Sequence, residues 1–470
     1  MEDGRLAEPN PRSGTTPVRD LPRTIGFWGT VAIMVGIIIG GGIFAAPSAI
    51  AKELGHPGLI LGFWALGGLI ALAGGLTYAE LATMFPQSGG VYVFLREAYG
   101  RSVAFIFGWS YLLITKPLGA AGIAIIFAEH FVQLLGLRAE DPALHQDPRV
   151  YTIALLALLT WINARGMRVG AGVALGLTSV KFLVLLLIAA AALALMKGDV
   201  ANLRPEAAPK PLLLAIIPVM SAVLWTYDGW SDAGAVAGEI RDPSRSLPRT
   251  FFAGIAAVMG VYLLVNAVFL WMIPLADLRE GGDAAPLVMR RLLGSGGETA
   301  VLVMVLLSTL GSTHGSIITG ARVSYQQARD GLLPSWLGHV HARHSTPAVS
   351  LWVQFAMSAL CVWHLGSFES LAGGFIFTMW IFYGLAGGAL FVLRVRRPGA
   401  ERPYRCWGYP VVPGLFVASA ASMTALAIYT NVQGSEAAIP GTLVWLGVLA
   451  LGFPLYAVWT RTAGRGPRRL

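Results

Sequence analysis

Two stretches of the sequence place glycines and carboxylates inside long apolar runs. The first reads GIIIGGGIF, from Gly36 to Phe44, and the second reads WTYDGWSD, from Trp225 to Asp232. Glycine destabilises a helix interior by about 1 kcal/mol relative to alanine, so both stretches predict a break in a helix. Such a break exposes N–H groups at one new helix end and C=O groups at the other. These ends suit the carboxylate and the ammonium group of a zwitterion, respectively.

The glycine triplet from Gly40 to Gly42 permits a second interpretation, because small residues also let membrane helices pack closely. The stretch with Asp228 and Gly229 favours binding instead. Charged residues at bilayer depth face the interior of a bundle or a water-filled cavity, and irregular backbone is tolerated there only where protein or a cavity surrounds it. Two glycine-interrupted helices at corresponding positions of two repeats predict a transporter site near the membrane midplane.

The composition indicates a membrane protein. Of the 470 residues, 55% are hydrophobic and 13% are charged, whereas a soluble domain carries about 25% charged residues. We therefore expect many spans in a lipid bilayer. The segment 1–23 lacks the short apolar core of a signal peptide. The two cysteines, Cys361 and Cys406, are too few for a disulfide framework.

Twelve apolar runs predict an all-α integral membrane protein with twelve transmembrane helices, since about 20 helical residues cross the bilayer core. The runs are 24–54, 58–85, 99–133, 149–164, 170–196, 211–240, 248–273, 297–328, 346–365, 370–393, 410–431 and 439–460. The predicted domains are a cytoplasmic tail at 1–23, a single transmembrane domain at 24–460 and a cytoplasmic tail at 461–470.

The distribution of basic residues predicts the orientation of the chain. With a cytoplasmic N-terminus, most of the 34 Lys and Arg residues fall at the cytoplasmic ends of the spans, as the positive-inside rule requires. We expect both termini in the cytoplasm and the protein in the plasma or inner membrane. The same asymmetry explains the net charge of +9, so nucleic acid is not an expected partner. Glu80 and Glu239 are expected to pair with arginines of the cytoplasmic loops.

Four motifs resemble those of one known group. They are GIIIGGGIFAAP, FPQSGGVYVFLREAYG, WTYDGW followed by AGEIRDPSRSLPR, and ARDGLLPSWL. Over nearly its whole length the chain resembles the amino acid–polyamine–organocation superfamily, and it is most similar to bacterial relatives of the L-type amino-acid transporters. The resemblance implies the leucine-transporter fold, a 5+5 inverted repeat with broken helices 1 and 6. Repeat one would cover about 24–196, repeat two about 211–393 and two additional helices about 410–460.

The resemblance also implies an amino-acid substrate that is moved by alternating access. Its carboxylate would meet the amides of the first break, and its ammonium group would meet carbonyls of both breaks. The implied substrate-binding residues are Ile38, Gly40, Gly41, Gly42, Trp225, Thr226 and Asp228. Trp225 would form a lid over the substrate. Trp is bulkier than the Phe that is usual in close relatives, which favours substrates with smaller side chains.

Lys181 lies within the fifth apolar run. A lysine there costs about 2.5–3.5 kcal/mol on an insertion scale, unless its side chain snorkels to an interface. The resemblance implies that its ammonium group replaces the cation of sodium-coupled members, and hence that transport is independent of sodium. The implied residues of this cation-like position are Gly36, Ile37, Lys181, Ser308 and Ser312. Ser308 and Ser312 are one helical turn apart and face the same direction.

Two other charged residues are open to several interpretations. Asp228 could bind a cationic substrate or a proton, or only hydrate the break, whereas Lys116 fits a structural or interfacial role better than substrate binding. The histidines of 329–347 read more simply as a solvated loop than as a metal site, and no cofactor is expected. Animal L-type members bond a heavy subunit through a Cys between spans three and four. The loop at 134–148 has no Cys, so no disulfide-linked heavy subunit is expected.

The leading functional hypothesis is sodium-independent exchange of neutral L-amino acids. The alternatives are a proton-coupled amino-acid symporter and a carrier of cationic amino acids or polyamines. A membrane-embedded enzyme fits less well, because the mid-span histidines His314 and His364 have no acid or His partners at helical spacing. A receptor or a channel does not explain the paired breaks equally well.

Overall fold

Almost all regular structure in the described part of this chain is helical. A computed structural model describes residues 23, 25–87, 89–136, 147–166, 171–280, 283–341, 343–344, 346–434 and 441–463. Within them, the strand-like pairing is a single isolated bridge between Ile25 and Ile240, so the all-α prediction is confirmed. Most of the predicted N-terminal tail, the C-terminal tail beyond residue 463 and most of the loop at 134–148 lie outside the described residues.

The described α-helices follow the predicted runs closely. In chain order they are α1 (Phe27–Ile38), α2 (Gly42–Ala51), α3 (Pro57–Met84), α4 (Val91–Tyr99), α5 (Arg101–Ser110), α6 (Lys116–Leu134), α7 (Pro148–Ala164), α8 (Ala171–Leu195), α9 (Leu212–Tyr227), α10 (Asp232–Ala235), α11 (Pro243–Met272), α12 (Leu275–Arg279), α13 (Ala284–Leu293), α14 (Ser295–Arg329), α15 (Ala348–Leu365), α16 (Phe368–Arg396), α17 (Val411–Gly434) and α18 (Gly441–Ala463). Within the described residues, ten helical segments are long and apolar enough to cross a membrane, and α7 and α9 are shorter apolar helices. Together they account for the twelve predicted spans.

Two runs differ from their predicted extent. The third does not begin at residue 99, because the residues before Gly100 form the separate helix α4. Gly100 has a φ of +88°, a conformation that glycine adopts without a steric penalty, and it ends α4 and starts α5. A π-helical segment, Tyr111–Thr115, then joins α5 to α6. The seventh predicted run corresponds to α11, which begins at Pro243 rather than at residue 248, since proline is well tolerated in the first helical turn.

Ion pairs join the spans at the face where α1 begins. The carboxylate of Glu80 is fully buried and lies 2.6 Å from Arg394 and 3.3 Å from Arg402. Glu239 lies 3.1 Å from Arg322. The expected pairing of both glutamates with arginines is therefore confirmed, although Arg322 and Arg394 belong to α14 and α16 rather than to loops.

The helices around the first and sixth spans position the two breaks. The long helix α14 packs along α6, while α11 packs along α3 and also contacts α1. The isolated bridge joins the residues just before α1 to those just after the second break, through a 2.9 Å hydrogen bond from the Ile25 N–H to the Glu239 carbonyl. The two broken spans are thus held together at this face.

Candidate functional site

The first break separates α1 from α2 over residues 39–41. The Gly40 N–H turns back and donates to the Ile38 carbonyl at 2.8 Å, and the Phe44 and Ala45 N–H groups donate to the Gly41 carbonyl. Between them, the N–H groups of Gly41, Gly42 and Ile43 are not among the hydrogen-bond donors of the described residues. The N-terminus of α2 therefore offers adjacent backbone donors, which is the arrangement that binds an anionic group.

The second break separates α9 from α10 over residues 228–231. The Asp228 N–H closes the end of α9 by donating to the Trp225 carbonyl at 3.1 Å, and the Asp232 N–H donates to the Gly229 carbonyl at 3.2 Å. Gly229 has a φ of +110°, which side chains other than glycine's rarely allow. The glycine of the WTYDGW motif is thus required by the backbone of the break.

The two breaks lie against each other. A Cβ atom added to Gly229 would lie 2.6 Å from Cγ2 of Ile37 and 3.1 Å from the Ile38 nitrogen. A Cβ atom added to Gly42 would lie 2.8 Å from Oγ1 of Thr226. The glycines therefore serve both close packing and exposure of the backbone, and the two interpretations of the triplet are not exclusive.

Tyr262 of α11 joins the two breaks by hydrogen bonds. Its buried hydroxyl contacts the Ile38 carbonyl at 2.9 Å and the Thr226 carbonyl at 3.3 Å. A hydroxyl has one hydrogen to donate, so the two carbonyls share it. Free carbonyls at the end of a broken helix are costly inside a membrane, and Tyr262 supplies a donor to one from each break.

Lys181 of α8 reaches the end of α1. Its Nζ atom lies 3.1 Å from the Gly36 carbonyl and 3.0 Å from Oγ of Ser312. The Ser312 hydroxyl itself contacts the Gly36 carbonyl at 3.1 Å, and Ser308 donates to the Ile39 carbonyl at 3.1 Å. The side chain is buried, with 6% of its surface exposed, so it does not snorkel to an interface. The Ile37 carbonyl is not among its hydrogen-bond partners in the described residues.

Asp228 lies at the second break and is bound by Tyr383 of α16. The Tyr383 hydroxyl donates to Oδ1 of Asp228 at 2.6 Å and is 2.8 Å from Oγ of Ser231. Hydrogen bonds to a carboxylate are about twice as strong as those between neutral groups. Asp228 is only partly buried, and this hydrogen bond orients its carboxylate.

Asp232, the first residue of α10, forms an ion pair with Lys116 of α6. The Lys116 Nζ atom lies 3.0 Å from Oδ2 and 3.4 Å from Oδ1 of Asp232, and Thr319 of α14 donates to the same carboxylate at 3.2 Å. Both charged side chains are about nine-tenths buried. Lys116 therefore has a structural partner inside the bundle, and an interfacial position for it is wrong.

Trp225 closes one side of the break region with its indole. The ring packs edge-to-face against Phe375 and Phe368 of α16, with centroid distances of 5.0 and 5.7 Å. A Cβ atom added to Gly122 of α6 would lie 2.6 Å from the indole, so glycine at this position makes room for the ring. Ile126 lies one turn further along α6, and a Cβ atom added to Gly41 would lie 2.8 Å from its side chain. One face of α6 therefore lines both breaks.

No group of three or more His, Cys, Asp or Glu side chains within the described residues is placed to hold a metal ion. In the loop predicted to be solvated, the rings of His341 and His344 stack with centroids 4.7 Å apart. The chemistry available at the breaks is therefore that of backbone dipoles, hydroxyls and the charges of Asp228, Asp232, Lys116 and Lys181.

The sequence matches the family model for amino acid permeases over residues 25–453. The chain belongs to the amino acid permease family. The permease is similar to the rat b(0,+)-type amino acid transporter 1, with 30% identity over 387 residues that cover 82% of this chain and 79% of the rat protein. It is 32% identical to the mouse Asc-type amino acid transporter 1 over 392 residues, which cover 82% and 73% of the two chains. It is 28% identical to the human cystine/glutamate transporter over 433 residues, which cover 92% of this chain and 84% of the human protein.

These matches confirm the resemblance to the amino acid–polyamine–organocation superfamily and its L-type members. The family and these relatives are transporters, not enzymes. Together with its apolar helices, this makes the permease a multi-pass membrane protein of an amino-acid transporter family. The predicted fold class, with broken first and sixth spans, is confirmed by the helices and by the family.

Sequence reasoning did not identify several residues that contact the breaks. Tyr262, Tyr383 and Gly122 lie in other spans, and a single Tyr or Gly in an apolar run carries no signal of its partner. The pairing of Lys116 with Asp232 did have a signal, because ionisable residues in spans usually pair with one another.

Proposed function

We propose that the permease exchanges neutral L-amino acids by alternating access, without sodium, at a site between the two breaks. The observation that carries the proposal is the first break, where three consecutive backbone N–H groups, Gly41 to Ile43, have no hydrogen-bond acceptor among the described residues. A carboxylate would accept from them at the N-terminus of α2. The proposed substrate contacts are Ile38, Gly40, Gly41, Gly42, Trp225, Thr226 and Asp228.

The ammonium group of the substrate has acceptors beside these donors. Asp228 is only partly buried, and Gly229 packs the second break against Ile37 and Ile38 of the first. The helix dipole places negative partial charge at the C-terminal ends of α1 and α9. A zwitterion would therefore contact one helix N-terminus and two helix C-termini at once.

The position of Lys181 supports independence from sodium. Its ammonium group contacts a backbone carbonyl and a hydroxyl, Gly36 and Ser312, and such oxygen ligands are the ones a small hard cation would use. In this proposal the lysine supplies the positive charge that α1 needs, so that no dissolved cation is required. Ser308 and Ile37 complete the proposed cation-like position through the neighbouring backbone.

Trp225 supports a preference for small side chains. Its indole fills the space between Phe375, Phe368 and Gly122. A bulky substrate would have to displace a ring that already packs against three partners. We therefore expect alanine- and serine-sized substrates to be favoured over aromatic ones.

A second candidate function is favoured by Asp228. This residue is only partly buried, and its carboxylate would also suit a cationic amino acid, a polyamine or a coupled proton. The Lys116–Asp232 pair is close to neutral as a unit, so Asp228 would dominate the local charge. A carrier of cationic substrates, or a proton-coupled symporter, is the alternative that the experiment must separate.

The proposed setting of the permease follows from its basic residues. We propose that it lies in the plasma or inner membrane with both termini in the cytoplasm, because Lys and Arg cluster at the face where α1 begins. The proposed inverted repeats cover 24–196 and 211–393, and the additional helices cover 410–460. The sequence has two cysteines, neither of which lies in the loop at 134–148, so we propose no disulfide-linked heavy subunit.

Countertransport in proteoliposomes tests the proposal. Vesicles are preloaded with a neutral amino acid, and uptake of labelled alanine, serine, leucine, phenylalanine and lysine is measured with and without sodium and a proton gradient. Exchange predicts that internal substrate stimulates uptake of the small neutral amino acids under all ionic conditions. Uptake that does not depend on internal substrate but does depend on the proton gradient would support symport instead. A preference for lysine would support the carrier of cationic substrates.

A further inference from the structure

The turn between α16 and α17 forms a rigid platform at the edge of the bundle, away from the two breaks. The buried Glu80 carboxylate accepts a 2.6 Å hydrogen bond from the Cys406 N–H and pairs with Arg394 and Arg402. Arg402 also donates to the carbonyls of Leu393, Arg397, Pro398 and Ala400. The guanidinium of Arg394 lies over the Tyr409 ring at 3.7 Å. These contacts fix the backbone on both sides of Cys406.

One arginine of this platform has no partner among the residues that the structure describes. Arg394, Arg396, Arg397 and Arg402 all bind carboxylates or carbonyls, whereas Arg405 forms no ion pair or hydrogen bond within the part of the chain that the structure describes. Its side chain is exposed. The single carboxylate of the sequence 397–410, Glu401, is not paired with Arg405.

Arg405 has an exposed aromatic neighbour. Cys406 is buried, with 5% of its surface exposed, whereas Arg405 and Trp407 on either side of it are exposed. Trp407 is 72% exposed. Burial raises the pKa of the Cys406 thiol to about 11, so that side chain stays neutral and Arg405 is the charged group at this position.

The surface continues onto the membrane-facing side of α17. Val411 and Leu415 are each 64% exposed and are one turn apart, so they share a face. Apolar side chains this exposed at the end of a transmembrane helix contact lipid. A basic residue and a Trp at the same level are typical of the membrane–water interface, where indoles lie among the headgroups.

We propose that Arg405 and Trp407 bind the phosphate of an anionic phospholipid whose acyl chains lie along Val411 and Leu415. The guanidinium and the indole N–H are both hydrogen-bond donors, and an arginine binds phosphate by two parallel hydrogen bonds. The leaflet on the cytoplasmic side carries the anionic lipids, which matches the proposed orientation of this face. The rigid backbone lowers the entropic cost of binding, because the platform is ordered before the lipid arrives.

Native mass spectrometry of the purified full-length permease tests this site. The protein in a neutral detergent is titrated with phosphatidylglycerol or phosphatidylcholine of identical acyl chains, and the bound lipids are counted. We expect Arg405→Gln to weaken the first phosphatidylglycerol by about fivefold, the factor that corresponds to about 1 kcal/mol per basic residue near an anionic surface. Phosphatidylcholine binding should not change. Trp407→Phe, which keeps the ring but loses the donor, should weaken phosphatidylglycerol less.

The matched control is Arg245→Gln, which removes an exposed arginine of the same face and should leave phosphatidylglycerol binding unchanged. Inorganic phosphate should not displace the lipid, because it lacks the acyl chains. Equal phosphatidylglycerol affinity in the wild type and in Arg405→Gln would overturn the proposal. So would equal loss of both lipids in that variant, or full displacement by inorganic phosphate.

Discussion

The two helix breaks lie side by side, yet their polar groups are held by different chemistry. At the first break, a backbone carbonyl receives the ammonium group of Lys181 and the hydroxyl of Ser312, and no side chain of the break is ionisable. At the second break, the Asp232 carboxylate receives the ammonium group of Lys116. The two buried lysines therefore have different partners. Lys181 binds a carbonyl dipole, whereas Lys116 binds a full negative charge.

This difference separates the part of the site that can change from the part that is fixed. Removing one member of a buried ion pair leaves an unpaired charge, which costs several kcal/mol. Removing a lysine that faces a carbonyl leaves only a dipole, which Ser312 still partly satisfies. We infer that the second break is the more tightly fixed and that the first break is where α1 can shift as access alternates.

The largest expected effect is on stability, from breaking the pair at the second break. Lys116→Ala should lower the free energy of unfolding by about 3–5 kcal/mol, because Asp232 remains buried without its partner. Asp232→Ala should have a similar effect, and the double variant should recover much of the loss. Thermal unfolding in detergent, followed by tryptophan fluorescence, measures all three. Additive losses in the double variant would show that the two side chains are not coupled.

The next effect concerns the first break and its donors. A Cβ atom at Gly41 would lie 2.8 Å from side-chain atoms of Ile126 and of Thr309, and such overpacking costs about 1–3 kcal/mol. Gly41→Val should therefore abolish uptake, because it fills the approach to the α2 N–H groups. The control is Gly62→Val, since an added Cβ there meets nothing within 4 Å. Wild-type substrate affinity in Gly41→Val would exclude this position from the site.

Lys181→Ala tests whether the two buried lysines differ in their effects on stability and on transport. We expect stability to change less than in Lys116→Ala, while exchange falls by at least about tenfold, a change of about 1.4 kcal/mol in the barrier. The reason is that α1 loses the hydrogen bond from Lys181 of α8, while no charge is left buried without a partner. Uptake and thermal unfolding are measured on the same preparations, with Val180→Ala, at a more exposed neighbouring position, as the control. Wild-type turnover would remove Lys181 from the mechanism.

The sequence predicted the breaks but not what surrounds them. Gly40 to Gly42, Asp228 and Gly229 stand out because they oppose helix formation inside apolar runs, and Lys181 stands out because it is a charge there. Contacts between helices distant in the chain depend on packing, which no local pattern encodes. For that reason Tyr262 and Gly122 appear only in the structure.

The short helix α4 shows the same limit. Its sequence, VYVFLREAY, lies almost wholly between the second and third predicted runs. Nine residues give too few turns for a periodic signal, and isolated helices of this length are marginal without tertiary contacts. Its buried side chains pack where α4 contacts α5 and α16, so the fold rather than local propensity stabilises it.

Tyr383→Phe tests whether Asp228 must be oriented. The variant loses a 2.6 Å hydrogen bond to a carboxylate, and hydrogen bonds to charged groups contribute about 1.5–3 kcal/mol. Because Asp228 is only partly buried and solvent can replace part of this hydrogen bond, we expect the apparent KM for alanine to rise by about tenfold or less. Tyr99→Phe removes a hydroxyl that also bonds to α16, at the Leu385 carbonyl, and should leave KM unchanged. An unaltered KM in both variants would argue against a substrate contact at Asp228.

The smallest expected effect is a change in selectivity from Trp225→Phe. The indole of Trp225 contacts Phe375 and lies close to Gly122. A phenyl ring at this position would still contact Phe375, but it is too small to reach Gly122. The released space should raise uptake of leucine relative to alanine by a few-fold. This is less than the roughly 10–200-fold discrimination that one methylene group gives in a fitted pocket, because Phe368 can relax into the gap. Competition between the two amino acids in proteoliposomes measures the ratio. Trp352→Phe, an exposed Trp on α15, is the control. A ratio unchanged in Trp225→Phe would mean that the indole does not bound the side-chain pocket, and size selectivity would then have to come from residues of α6 or α16.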